Sequence, residues 1–270
     1  MASGKIQVAA LQIRVSMDVR RNVAVIDDLL GKLPRGTVAV APEGALSGYL
    51  PEADFVTGID QDATWQAIER LAHLCRSRDI HLIAGACVRE GGAWLNSSFC
   101  FSPDGGRVRY DKVNLAQSER GTFTAGNTLP VFDICANGIA LRIGIQMCRE
   151  IRYPEQWRVL AHQGAQLIAY VNNAVGGEDG DLVWRAHMMS RAAELQRFVI
   201  GANNAAADQK CPTLIVAPSG LPVAELPAGR EGAATATISP AAVSDWVLSQ
   251  SRDDVVRVAL NDGSNGDRTP

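Results

Sequence analysis

Three side chains of complementary chemistry each stand at the end of a stretch that reads as a strand in this sequence. Glu43 stands in Ala41-Pro42-Glu43-Gly44, Lys112 ends Val108-Arg109-Tyr110-Asp111-Lys112, and Cys148 follows the run from Leu141 to Met147. Attack by a thiol on an amide needs a base for the thiol proton, a cation for the developing oxyanion and an acid for the departing amine. A carboxylate, an ammonium and a thiol fill those roles. Ligands of open α/β sheets collect beyond the carboxyl ends of strands, so residues there can converge. Taken singly, a Glu or Lys at a strand end is most often a solvated loop charge, and a cysteine a small core residue. The combination points to cleavage of a carbon-nitrogen bond. A redox-sensing thiol, which would need no Glu43, is the alternative for Cys148.

The elements that must position these groups follow from hydrophobic periodicity. Residues 6–13 read as a strand, and Val19, Val23, Ile26, Leu29, Leu30 and Leu33 recur at helical spacing, with Ser16 available as N-cap. Residues 37–41 form an apolar run stopped by Pro42. Trp65, Ile68, Leu71, Ala72 and Cys75 mark a second helix before a strand at 81–88. Residues 94–101 and 107–113, joined by the turn 102–106, read as a hairpin. Asn137-Gly138 suggests another between 129–134 and 139–147.

After Cys148 the alternation returns: a Pro154-led helix to about Gln163, a strand at 166–171, a helix from about Asp181 to Gln196, and strands near 198–203 and 213–217. A last strand pair (221–226 and 233–238), a Pro240-led helix and a polar tail at 261–270 complete the chain. Two βα-rich halves around antiparallel hairpins predict an α/β fold, a four-layer αββα sandwich of two mixed sheets packed face to face and covered outside by helices.

With 270 residues, 47% hydrophobic and 20% charged, the chain suits one domain spanning 1–270 with its core at about 5–250. A net charge of -3 gives no electrostatic reason to expect nucleic acid or an anionic membrane as partner, and a small molecule fits better. The N-terminal apolar stretch is too short for a signal segment or a membrane span, which points to the cytoplasm. The six cysteines include no Cys-x-x-Cys pair, and the four histidines show no ligand spacing. Free thiols are expected, with no metal and no organic cofactor.

Three segments carry a closer likeness. Residues 41–49 (APEGALSGY), 110–115 (YDKVNL) and 146–155 (QMCREIRYPE) resemble, in that order, the glutamate, lysine and cysteine segments of the nitrilase superfamily of carbon-nitrogen hydrolases, on its amidase-like side. Residues 118–126 are similar to the family loop bearing a second active-site glutamate, here Glu119. The resemblance implies the αββα fold and pairing into homodimers or larger homo-oligomers. Asn114 stands where members often carry His, and Arg149 follows the nucleophile where the residue varies with substrate class.

On this reading Glu43 takes the Cys148 proton and returns it to the leaving amine. Lys112 and the Arg149 backbone N–H hold the oxyanion, and Glu119 helps raise the pKa of Glu43. Glu119 reads alternatively as a surface partner of Arg120. Arg149 suits a substrate carboxylate, or else forms a structural ion-pair cluster with Glu150 and Arg152. Asn172 and Asn173 follow a strand and can hydrogen-bond an amide or ureido group, or serve as turn residues before Gly176-Gly177. The expected substrate is a small amide or N-carbamoyl compound cleaved through a thioester. Nitrile hydrolysis, acyl transfer and a catalytically silent oligomeric scaffold are the competing readings.

Overall fold

The computed structural model describes residues 4–174, 180–258 and 260. The Gly176-Gly177 turn and the tail at 261–270 lie outside them.

Strand β1 (Ile6–Gln12), helix α1 (Val19–Gly31), strand β2 (Val38–Val40), helix α2 (Gln61–Arg78) and strand β3 (His81–Glu90) form the βαβαβ start. β1, β2 and β3 are parallel, and β4 (Ala93–Phe101) and β5 (Arg107–Asp111) continue the sheet antiparallel. Period-two alternation sorts the first sheet into two faces. Val8, Ala10, Val38, Val40 and Ile83 join the core shared with the second sheet, whereas Ala9, Leu11, Ala39, Leu82 and Ala84 pack with α1 and α2. Both helices begin on an aspartate cap: Asp18 accepts from the Arg21 N–H and Asp60 from the Ala63 N–H. Ser16, the expected cap, instead donates its hydroxyl to Asn22 Oδ1 (2.9 Å), the cap falling two residues later at Asp18.

The second half begins with β6 (Val131–Ala136) and β7 (Ile139–Met147). They are joined by the Asn137-Gly138 turn, where φ is +52° and +76°, the left-handed pair that a tight hairpin requires. α3 (Pro154–His162), β8 (Leu167–Val171), α4 (Gly180–Leu195), β9 (Phe198–Ala202), β10 (Thr213–Val216), β11 (Pro222–Leu226) and β12 (Gly232–Ile238) follow. The second sheet runs β11-β10-β9-β8-β7-β6, with β7, β8 and β9 parallel, and the first runs β12-β1-β2-β3-β4-β5. The expected sandwich is the fold: α1 and α2 cover one sheet, α3 and α4 the other.

One expected pairing is corrected. Residues 221–226 and 233–238 are strands but not partners: β11 pairs with β10, and β12 crosses to pair with β1. Five residues separate them, and the Gln12 side chain fixes this crossover by donating to the carbonyls of Pro227 (2.8 Å) and Arg230 (2.7 Å). Pro222, lacking an N–H, sits on an edge strand where that costs no ladder bond. The Pro240-led helix is a single 3-10 turn (Pro240–Ala242), too short for an α-helix. Among the described residues, no helix is long and apolar enough to cross a membrane.

Candidate active site

Glu43 is delivered by the end of β2. Pro42 stops the strand, and the following turn lies directly on the β3 backbone: a Cβ on Gly85 would stand 2.6 Å from Glu43 Cα and 2.8 Å from the Gly44 nitrogen. The Glu43 N–H donates to the Asn172 carbonyl just past β8 (3.0 Å), tying the ends of the two sheets together. Gly85→Ala is therefore expected to push the Glu43 turn outward, costing about 1–3 kcal/mol in stability and roughly tenfold or more in turnover. Denaturant unfolding and steady-state rates on the purified variant check both.

Lys112 follows β5 immediately, its N–H bonded to the Asn96 carbonyl of β4 (2.9 Å). Its ammonium is wholly buried between two carboxylates, donating to Glu43 Oε1 (2.9 Å) and Glu119 Oε1 (3.0 Å). Asn96 Nδ2 donates to the same two oxygens at 2.7 Å each, and the Tyr49 hydroxyl donates to Glu119 Oε1 at 2.7 Å. Glu119 Oε2 accepts from the Ala116 N–H (2.5 Å). Glu119 is thus an interior residue, not a surface partner of Arg120.

Charge distributes unequally over this cluster. Burial works against the Lys112 ammonium, but Glu43 and Glu119 outweigh it and hold its pKa well above the ordinary value. Burial raises the Glu43 pKa, with the Glu119 charge adding and Lys112 opposing. Glu119 is buried too, yet Lys112, the Tyr49 hydroxyl and the Ala116 N–H bring its pKa below the usual carboxylate range. One carboxylate is stabilised in its charged form while the other is tuned toward taking a proton, the division that acid-base chemistry uses. Glu43 Oε2 is buried with no hydrogen-bond partner among the described residues, which leaves it free to accept one.

Cys148 follows β7 as the first residue of a 3-10 turn (Cys148–Arg152) with φ +41°, a left-handed conformation that a non-glycine residue adopts only under constraint. Its Sγ lies 4.0 Å from the Asn173 carbonyl. Burial, then the Glu43 charge, push the thiol pKa up against the pull of Lys112, so the sulfur rests protonated. Cys148 lines a cavity of about 430 Å³ together with Tyr49, Arg149, Arg152, Asn173 and Trp184.

The structure therefore brings Glu43, Lys112 and Glu119 into hydrogen-bonding contact and sets Arg149 and Asn173 beside Cys148. Asn172 lies deeper: it is fully buried, donates to the Tyr170 carbonyl (3.2 Å) and does not line this cavity. The Arg149–Glu150–Arg152 ion-pair cluster is not formed. Glu150 turns inward onto backbone donors, Arg152 lies over the Trp184 ring (5.5 Å), and Arg149 has no ion pair among the described residues. Asn96 was not anticipated from the sequence, and Tyr49 appeared there only as the end of the glutamate segment, without a role. Asn96 opens a polar triplet, Asn96-Ser97-Ser98, inside an otherwise apolar strand, and buried polar groups demand partners; that triplet was the available signal.

A family model described as carbon-nitrogen hydrolase matches residues 7–247. An (R)-stereoselective amidase from a Pseudomonas species is 29% identical over 168 residues, 62% of this chain and 59% of that protein. Human omega-amidase is 27% identical over 183 residues, 63% of this chain and 60% of that protein. The chain thus matches less than two thirds of the length of these two relatives. A probable nitrilase of Schizosaccharomyces pombe is 24% identical over 250 residues, 87% of this chain and 89% of that one. An amidase from Nesterenkonia sp. shares the fold with a TM-score of 0.79 at 22% identity, covering 94% of this chain and 96% of that one. Because the family model spans nearly the whole chain, the protein belongs to the carbon-nitrogen hydrolase family.

Proposed function

We propose that this protein hydrolyses the carbon-nitrogen bond of a small amide or N-carbamoyl compound through a thioester on Cys148. The observation that carries the reading is the buried Glu43–Lys112–Glu119 cluster, whose Glu43 keeps one oxygen without a partner among the described residues, beside a strained cysteine at a cavity. The thiol passes its proton to Glu43 as sulfur attacks the carbonyl carbon. Lys112 and the Arg149 N–H hold the oxyanion, and Glu43 returns the proton to the departing nitrogen. Water, deprotonated by Glu43, then attacks the thioester carbonyl, and Glu43 passes that proton to the departing sulfur as the acid is released. Glu119 keeps Lys112 charged. Asn173 faces the substrate amide, while Asn172 contributes through its carbonyl to the Glu43 N–H. A neighbour of the same fold supports the use of the thiol: a solved variant of the Nesterenkonia amidase carries the acetamide moiety of fluoroacetamide on its active-site cysteine.

Arg149, beside the thiol and without an ion pair among the described residues, suits a substrate that carries a carboxylate at a distance from its amide. Ammonia release should be followed over aliphatic amides with and without a terminal carboxylate, N-carbamoyl amino acids and nitriles, with intact-mass detection of an acyl adduct on Cys148. No release and no adduct from any of them would leave the fold as a silent scaffold. Arg149→Met is expected to lower kcat/KM roughly ten- to a hundredfold for the carboxylated amides, the equivalent of charge-assisted hydrogen bonds, and by less than about threefold for neutral ones. An equal loss on both would remove Arg149 from recognition.

A further inference from the structure

Glu150 is fully buried two residues past the nucleophile, and no role in the reaction uses it. Its Oε1 accepts from the Tyr110 hydroxyl (2.6 Å) and from the Val113 and Asn114 N–H groups (2.9 Å each), while Oε2 accepts from the Met147 N–H (2.8 Å). Tyr110, Val113 and Asn114 flank Lys112, and Met147 precedes Cys148. A single carboxylate therefore spans the end of β5 in one sheet and the end of β7 in the other. The backbone of the cysteine turn is held separately. Trp157 Nε1 donates to the Glu150 carbonyl (2.9 Å), and Arg191 donates to the Ile151 carbonyl through Nη2 (2.9 Å) and Nε (3.2 Å).

We propose that Glu150 is a positioning residue that sets the separation of the Lys112 ammonium and the Cys148 thiol by clamping their two strand ends onto one carboxylate. The proposal rests on the thiol-amidase reading above. Burial pushes the carboxyl up to about 6, against the Tyr110 hydroxyl, the Asn114 N–H, the Lys112 charge and the Met147 N–H. At neutral pH it is an acceptor-only group facing four donors, which no amide side chain reproduces. Glutamine at 150 can offer its oxygen to Tyr110, Val113 and Asn114, but its NH2 then meets the Met147 N–H, donor against donor.

Glu150→Gln is expected to lower kcat about a hundredfold, the scale of a misplaced reacting group, with KM within about threefold, because Glu150 does not line the cavity. Rates are read at a temperature where near-UV circular dichroism shows the variant folded. A purely structural glutamate would lower the unfolding midpoint and leave the kcat of the folded enzyme unchanged, and that result would overturn the proposal. Should Glu150→Gln not fold, Tyr110→Phe removes one of the four donors; a fall in kcat of about five- to tenfold supports the clamp, and wild-type kcat overturns it.

Alkylation by chloroacetamide keeps this test separate from the choice of substrate. The sulfur displaces chloride, the thiol proton passes to Glu43, and peptide mass spectrometry follows Cys148 with exposed Cys135 as internal control. If wild type cleaves no amide, the functional reading fails. The clamp then stands or falls on whether Glu150→Gln slows alkylation of Cys148 about tenfold or more while Cys135 is unaffected.

Discussion

Replacing Cys148 with alanine is expected to lower ammonia release by at least about ten-thousandfold, because loss of the nucleophile removes both half-reactions together. Alanine keeps the Cβ and meets the same left-handed backbone at φ +41°, so the turn is no more strained than before. The lost sulfur makes only a 4.0 Å contact with the Asn173 carbonyl, and the unfolding midpoint should move by no more than about 3 °C. The variant should still bind amides, visible as a ligand-dependent rise in that midpoint. A Cys148→Ala protein that turns over amides at the wild-type rate would end the thioester mechanism and leave the thiol to a redox role.

Lys112→Met tests the cluster in two ways. Turnover should fall roughly a thousandfold, the scale of a lost oxyanion donor, since the thioether cannot stabilise developing negative charge. Stability at pH 7 should fall by about 3–5 kcal/mol, because two buried carboxylates lose the cation between them. The pH dependence follows from the shifts already present. In the wild type, Glu119 is held below its unfolded pKa and contributes stability that is lost as pH falls through its folded value. Without Lys112 the pKa of Glu119 moves above the unfolded value, and that of the already raised Glu43 moves further up. The folded state then binds more protons than the unfolded one, so the variant's deficit is greatest above those raised values and shrinks as the pH is lowered through them. Denaturant melts at pH 7.5 and pH 5 read this directly. A deficit that does not change with pH would mean that the ammonium is not what keeps the carboxylates charged.

Much of the fold was legible because β1, β2 and β3 are nearly continuous apolar runs, which the structure buries on both faces, and because helical spacing in α1 and α2 points one face inward. The last two strands were identified but wrongly paired. Alternation says which face of a strand is buried but not which neighbour supplies its hydrogen bonds, and β12 found its partner at the opposite end of the chain. At the site, residue type and position after strands singled out Glu43, Lys112 and Cys148, and the family likeness added Glu119. Glu150 was misread because its neighbours Arg149 and Arg152 are charged and close in sequence. In the 3-10 turn its side chain instead faces the interior, where backbone donors outcompete solvent-exposed guanidinium groups. Asn96 and Tyr49 had no role in the sequence reading because the Asn96–Glu43 and Tyr49–Glu119 contacts join residues 53 and 70 positions apart.

The β1–β12 pairing also bears on how the molecule is made. Ile6 is matched with Ile238 and Gln12 with Gly232, so the outer edge of β1 has no hydrogen-bonding partner until residues 232–238 have left the ribosome. The second sheet, built from residues 131–226, can be assembled before that moment. Contacts of such sequence separation are slow to close, and an apolar strand with an open edge is a template for another chain. During synthesis, the outer edge of β1 stays open to such pairing until β12 has emerged.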